Sequence, residues 1–210
     1  MSEHGNKRDE IIQAALSFFA SRGFRGTSIR DIAGACNTSL SNIYHYFGDK
    51  EGVVLAILQT ISEELVTSLR IAAQKDLDPL GRFKWLVVTH CCVGWERSRE
   101  GKILILEEEH LSAEGRKVSR QIQKEILEIY RSVLRPLQEL DLLRGKSLTI
   151  TALNVLALVN WFFRWYRRDG PMSLEEASEE IVSFAVHGAL VGDDGFAAPA
   201  KVKSTGKSGN

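Results

Sequence analysis

Between Thr27 and Lys50 the chain reads TSIRDIAGACNTSLSNIYHYFGDK, and this stretch restricts the fold more than any other. It contains two short helix signals with a tight break between them. Ser28 lies three residues ahead of Asp31, the spacing of a capping box with Asp in the place of Glu. Ile29, Ile32 and Ala33 then form one apolar face. Cys36-Asn37-Thr38 breaks the pattern. Asn is one of the few residues with a side chain that tolerate the left-handed backbone of a sharp helix-to-helix turn. Ser39 restarts a helix as its N-cap. Ile43 and Phe47, four apart, make the inner stripe, which leaves Leu40, Ser41, Tyr44 and His45 facing outward. A short helix, a turn and a second helix with a small, polar and aromatic outer face suit the DNA major groove. A helical hairpin with no role on DNA is the competing reading of the same punctuation.

Taken as a set, these residues resemble the DNA-binding signature of the TetR/AcrR family of bacterial transcriptional regulators. That signature reads T-x-x-x-I-A, then A-G-V-S, then Y-x-x-F-x-x-K. Ile32-Ala33, Tyr44, Phe47 and Lys50 match it. Ala35-Cys36-Asn37-Thr38-Ser39 occupies the place where the family usually has a Gly in its turn, and Asn can serve there. The resemblance implies an all-α chain, a three-helix helix-turn-helix domain followed by a helical ligand-binding and dimerisation domain.

The periodicity of the remaining chain agrees. Ile11, Ile12, Ala15, Leu16, Phe18 and Phe19 give a first helix from Lys7 to Arg22, stopped by Gly23 and Phe24. Asp49 caps a long amphipathic helix carrying Val54, Ile57, Leu58, Ile61, Leu65, Leu69 and Ala72, the mechanical link to the rest of the protein. Pro79 opens another helix, to about Arg99, and Gly101 divides it from Ile103–Leu111. Glu114 to Leu142 carries the stripe Ile122, Ile126, Ile129, Val133, Leu137. Lys146 to Arg168 is apolar nearly all round and is expected to pack on two sides. Ser173 and Glu176 form a capping box for a last helix to about Leu190. The expectation is about nine helices. The expected division is residues 1–52, 53–192 and a disordered tail 193–210, rich in Gly, Ala, Pro, Ser and Lys.

Composition removes several alternatives. Apolar residues make up 44% of the 210, ordinary for a globular protein. The formal net charge is +0, so DNA contact has to come from a local patch: Arg25, Arg30, Lys50 and the hydroxyls of Thr27, Tyr44 and Tyr46. Cys36, Cys91 and Cys92 have no disulfide-framework spacing and fit a reducing cytoplasm. Leu148 to Phe163 is shorter than the roughly twenty residues of a membrane span, and Asn154 and Asn160 interrupt it. No membrane association is expected. His90-Cys91-Cys92 on a helix cannot converge on one metal ion, and core or pocket lining is the favoured reading. Glu107-x-x-His110 has the spacing of a di-iron half-site but lacks the second such motif that chemistry needs. No phosphate-binding glycine loop or nucleophile elbow is present. No catalytic residue, metal site or cofactor is expected.

The stretch Asn160-Trp-Phe-Phe-Arg-Trp-Tyr-Arg-Arg-Asp-Gly-Pro171 can be a dimer-interface belt or an amphipathic ligand wall with a cation at its mouth. It resembles the W-Y-x-x-x-G-P segment of a TetR branch linked to the degradation of fatty, steroid or aromatic acids, many of whose members respond to acyl-CoA thioesters. The expectation is therefore a cytoplasmic, homodimeric repressor of a pseudo-palindromic operator, released by a small-molecule inducer. Ser41, Asn42, Tyr44 and His45 approach base edges, Leu40 makes an apolar contact, and Thr27, Arg30, Tyr46 and Lys50 hold the DNA backbone. Trp85, Cys92, Trp95, Trp161, Phe162 and Trp165 line the acyl site, with Arg164 and Arg168 (or Arg167) meeting phosphates. The rivals are a multidrug-sensing regulator of an efflux pump, kept open by the acidic run Glu107–Glu109, and a helical metal-binding enzyme.

Overall fold

The computed structural model describes residues 3–96 and 111–191. The division at Gly101, the helix Ile103–Leu111, the Glu107/His110 pair, the acidic run Glu107–Glu109 and the tail 193–210 lie outside the described residues, apart from Leu111 itself. Eight helices are described: α1 (Glu3–Arg22), α2 (Ile29–Ala35), α3 (Leu40–Phe47), α4 (Lys50–Ala73), α5 (Pro79–Glu96), α6 (Ala113–Glu139), α7 (Leu148–Trp165) and α8 (Leu174–Ala189). The chain is all-α and close to the nine helices expected. One isolated antiparallel bridge, Leu143 with Leu190, fastens the α6–α7 loop to the end of α8.

The helix ends are set by local chemistry. Ser28 and Asp31 form a reciprocal capping box on α2, as Ser173 and Glu176 do on α8. The Ser39 hydroxyl accepts the Asn42 amide and Asp49 accepts the Gly52 amide. Each cap satisfies a backbone N–H that a helix start leaves without a partner. Gly23 ends α1 with φ +71°, and Asn37 turns the chain between α2 and α3 with φ +47°. Both angles lie in the left-handed region that favours glycine and, after it, asparagine.

Two hydrophobic cores share α4. The first gathers Ile11, Ala15 and Phe19 of α1, Ile32 of α2, Ile43 of α3 and Val53, Val54 and Ile57 of α4. The second gathers Val66, Leu69 and Ala72 of α4 with Phe83 and Leu86 of α5, Tyr130 and Leu134 of α6, Val159 and Phe162 of α7 and Ile181 of α8. The expected boundary after residue 52 thus falls within one continuous helix, so the two units are joined by a rod and not by a linker.

Both α4 and α7 are long and apolar enough to cross a membrane by length and composition alone. In this fold each turns a buried face to the protein core. The two-sided packing expected of α7 is met on one side within the chain. Ala152, Val155, Val159 and Phe162 are buried, while Ile150, Leu153, Trp161 and Trp165 are exposed.

Candidate nucleic-acid interface and ligand cavity

The outward face of α3 carries Leu40, Ser41, Tyr44 and His45, and Tyr44 is 52% exposed. Beneath them Ile43 is wholly buried in the first core and holds the helix against α2 and α4. Asn42 is exposed, but its amide Nδ2 donates to Thr38 Oγ1 at 3.1 Å, so part of its hydrogen-bonding capacity bolsters the turn. Tyr46 is half-buried and packs on the first core, with its ring 6.1 Å from Phe47. Arg25 and Arg30 are exposed on the same small domain.

Two residues expected to hold the DNA backbone have other partners. Thr27 is buried and its hydroxyl donates to the Gly23 carbonyl at 2.9 Å, closing the end of α1. Lys50 Nζ donates to the carbonyls of Phe24 and Thr27 at 2.8 and 3.0 Å and lies 4.1 Å from the Phe24 ring centroid. The physical reason is the left-handed turn at Gly23. It leaves the carbonyls of the α1–α2 loop pointing away from any helix, and the first turn of α4 brings an ammonium to them. Lys7 performs a similar service for the helix-turn-helix turn, donating to the Cys36 carbonyl at 3.1 Å while pairing with Glu10 at 2.6 Å. Burial pushes the Cys36 thiol up from its ordinary pKa, so it is a packed side chain and not a reactive one.

The largest described cavity, about 840 Å³, opens among α4, α5, α6 and α7. Its walls are apolar: Val54, Leu58 and Leu65 from α4, Ile122, Ile126 and Leu127 from α6, Leu153, Leu156 and Trp161 from α7. Arg120, Lys124 and Arg164, all exposed, supply three cations, and none of its described lining residues is a carboxylate. Arg164 also lies over the Trp161 ring at 5.7 Å. A second cleft of about 460 Å³ between α4 and α6 is different in kind. Its Arg70 and Lys117 are matched by Glu63, Glu114 and Glu125, and Arg70 is paired with Glu125. A third groove, of about 540 Å³, runs between α7 and α8 along Ile150, Leu158, Phe184 and Gly188.

Of the residues expected to line the ligand site, Trp161 and Arg164 reach the large cavity and the others do not. Phe162 is wholly buried, stacked on Tyr166 with centroids 5.0 Å apart and edge-on to Trp165. Trp95 packs edge-on to Tyr166 at 4.7 Å, inside the same aromatic cluster. Cys92 is turned toward Glu175 and Ser178 of α8. Trp85 is exposed on the far side of α5, with Lys75 Nζ 3.4 Å from its ring centroid. Trp165 is exposed, Arg167 pairs with Asp169 beyond the end of α7, and Arg168 is exposed in the same turn. The helix explains this partition. Successive residues point about 100° apart, so Trp161 and Phe162 cannot share one wall.

Sequence reasoning missed Arg120 and Lys124, four apart on α6, because a basic pair opposite an apolar stripe reads as solvated surface. It also gave no role to Tyr130. His90, read as core or pocket lining, does line the cavity, and its Nδ1 is 2.9 Å from the Tyr130 hydroxyl. Burial pushes the His90 pKa down to about 4 and raises that of Tyr130, so both are neutral at ordinary pH. Cys91 is buried and its thiol is pushed up to about 12. No group of three His, Cys, Asp or Glu able to hold a metal exists among the described residues.

The cavity meets the first core at Val54 of α4 and at Leu111. Next to Leu111, the Ser112 amide donates to Glu51 Oε1 at 2.8 Å, joining the start of α6 to the start of α4. Gly115 makes the approach possible, since a Cβ there would lie 2.5 Å from Glu51 Oε1.

Residues 76–189 match the family described as tetracyclin repressor-like, C-terminal domain, and residues 11–57 match bacterial regulatory proteins, tetR family. The HTH-type transcriptional repressor KstR2 of Rhodococcus jostii (strain RHA1) is 27% identical over 193 residues, covering 89% of this chain and 93% of its own. The TetR family regulator PfmR of Thermus thermophilus superposes with a TM-score of 0.76 at 27% identity, over 85% of this chain and 97% of its own. AibR, solved in complex with isovaleryl coenzyme A and operator DNA, gives a TM-score of 0.75 at 22% identity over the same shares; at that identity the likeness shows the fold.

Proposed function

The chain belongs to the TetR family of bacterial transcriptional regulators, and from that premise we propose that it is a homodimeric, cytoplasmic repressor released from its operator by an acyl-CoA thioester. The observation that carries the ligand class is the charge of the large cavity: three cations and no carboxylate among its described lining residues, around an apolar interior. Such a site favours an anionic head on an apolar body and disfavours a lipophilic cation. Guanidinium groups pair with phosphate in a forked geometry, so Arg120 and Arg164, with Lys124 as a point charge, suit the phosphates of coenzyme A. The relative AibR was solved with a CoA thioester and operator DNA together, in keeping with this reading.

On DNA, α3 enters the major groove and offers Ser41, Tyr44 and His45 to base edges, with Leu40 for an apolar contact. Arg25 and Arg30 meet phosphate, and Thr27 and Lys50 act from behind by holding the loop on which they stand. The second copy packs on α7 and α8. Phe184 is 70% exposed beside the groove of the same pair of helices, with Ile150 close by, and a self-complementary four-helix contact buries both.

Release follows from differential affinity. A ligand filling the cavity moves Leu111, which belongs to both the cavity and the first core. The Glu51–Ser112 contact passes that shift to the start of α4 and so to the spacing of the two α3 helices. A hundredfold preference of the ligand for the released form corresponds to about 2.7 kcal/mol of coupling, and operator DNA must weaken ligand binding by the same factor. Titrating octanoyl-CoA, longer acyl-CoAs and a panel of lipophilic cations into the protein–operator complex tests the reading. Release by a CoA thioester, weakened about tenfold by Arg120→Ala or Arg164→Ala, is the expected result. Release by cations with no response to any CoA thioester would transfer the function to efflux-pump regulation.

A further inference from the structure

Most of the cavity asks nothing of a ligand except that it be apolar, but one buried polar side chain does. His90 is 2% exposed, lines the cavity, and is edged by the rings of Tyr130 and Phe163 at 5.7 and 6.0 Å. Its hydrogen bond to Tyr130 runs through Nδ1. That bond has a direction. Tyr130 is wholly buried, and His90 is its hydrogen-bond partner among the described residues. A buried hydroxyl that kept its proton out of this bond would leave a donor unsatisfied, which proteins avoid. The Tyr130 hydroxyl therefore donates to Nδ1, and the neutral ring carries its own proton on Nε2. The Nε2–H group has no hydrogen bond within the described protein. His90 lines the cavity, so a ligand that fills it comes within reach of this ring.

We propose that His90, oriented by Tyr130, is a specificity-determining residue that donates from Nε2–H to a carbonyl oxygen of the ligand's buried portion. This rests on the ligand reading above, in which Arg120, Lys124 and Arg164 hold the charged end at the exposed rim. A ligand presenting only hydrocarbon to His90 strips water from Nε2–H and returns nothing, whereas a carbonyl restores the bond. Discrimination is asymmetric for this reason: a site built to hydrogen-bond rejects the analogue that lacks the group more strongly than an apolar wall rejects one that has it. The carbonyl can be that of the thioester or a ketone within the acyl chain, and the two are separable.

The test uses the full-length protein and three probes: octanoyl-CoA, its thioether analogue S-octyl-CoA, and an oxo-octanoyl-CoA with the ketone near the chain end. Calorimetric titration of wild type is expected to show a preference of about tenfold (about 1.4 kcal/mol) for one carbonyl-bearing probe over its carbonyl-free counterpart. His90→Phe erases that preference while still binding CoA thioesters, and His90→Gln, which keeps an N–H donor, restores part of it. Loss of the octanoyl-CoA over S-octyl-CoA preference assigns the bond to the thioester; loss of the oxo-octanoyl preference assigns it to the chain ketone. In parallel, a 15N-histidine spectrum of wild type must show His90 as the Nε2–H tautomer, and Tyr130→Phe must disturb it. An Nδ1–H tautomer, or a preference that survives His90→Phe, overturns the proposal and leaves the CoA reading intact. Failure of all three probes to bind wild type overturns both.

Discussion

Lys50→Met removes an ammonium and keeps most of the aliphatic stem, and so separates two roles that the family signature leaves merged. The structure commits Nζ to the Phe24 and Thr27 carbonyls and to the Phe24 ring. A hydrogen bond from a charged donor contributes about 1.5–3 kcal/mol, and a partly exposed cation–π contact about 0.5–1 kcal/mol. The side chain is half-buried, so both freed carbonyls can turn to water and recover part of that. A net loss of about 2 kcal/mol is expected, or about 4–8 °C in the unfolding temperature of a chain of this length. A phosphate contact behaves differently. Its loss leaves the unfolding temperature alone and lowers the slope of log affinity against log salt by about 0.9. Thermal unfolding of free protein, with operator binding measured at four salt concentrations, gives both quantities from one preparation. The expected outcome is a lower unfolding temperature, weaker binding and an unchanged salt slope. An unchanged unfolding temperature with the slope reduced by nearly one would show that Lys50 is a DNA contact and not a clamp on the loop.

Four more outcomes follow from the geometry. Gly188→Glu should split the dimer in sedimentation, since Gly188 is exposed with open space at its Cβ position, whereas Ala185→Glu should impair folding because Ala185 is 3% exposed in the protomer's own core. Gly115→Ala should displace Glu51 from the Ser112 amide, so inducer still binds but operator release falls several-fold; full release would remove this contact from the coupling route. Acid should destabilise the protein through His90. Its folded pKa of about 4 is below the ordinary 6.5, so the unfolded chain binds the extra proton between those values, and stability is full above 6.5 and falls as pH drops. Between pH 7 and pH 5 the loss is about 2 kcal/mol, and denaturant titrations of His90→Gln should show that slope flattened.

Features under short-range chemical control can be read from adjacent residues alone. The Ser28–Asp31 box, the Asn37 turn, the Ser39 and Asp49 caps and the stop at Gly23 each depend on a few consecutive residues, so the helix-turn-helix and its outward face of Leu40, Ser41, Tyr44 and His45 were legible before any packing was known. The order of the long helices was legible for the same reason, since an apolar stripe at helical spacing carries its own period. Which face meets which neighbour depends on how the helices pack. Trp161, Phe162 and Trp165 look alike as a run of rings, yet Phe162 fills the core while Trp161 reaches the cavity and Trp165 faces out. Lys50 satisfied the family pattern, but its partners are carbonyls 26 and 23 residues back along the chain. Arg120 and Lys124 line a cavity only because α4, α5 and α7 enclose one with α6, and His90 gained its donor role only from Tyr130, 40 residues away. Caps and turns are local energies written in adjacent residues, whereas a cavity is the space several distant helices leave between them, and no single helix encodes the shape of that space.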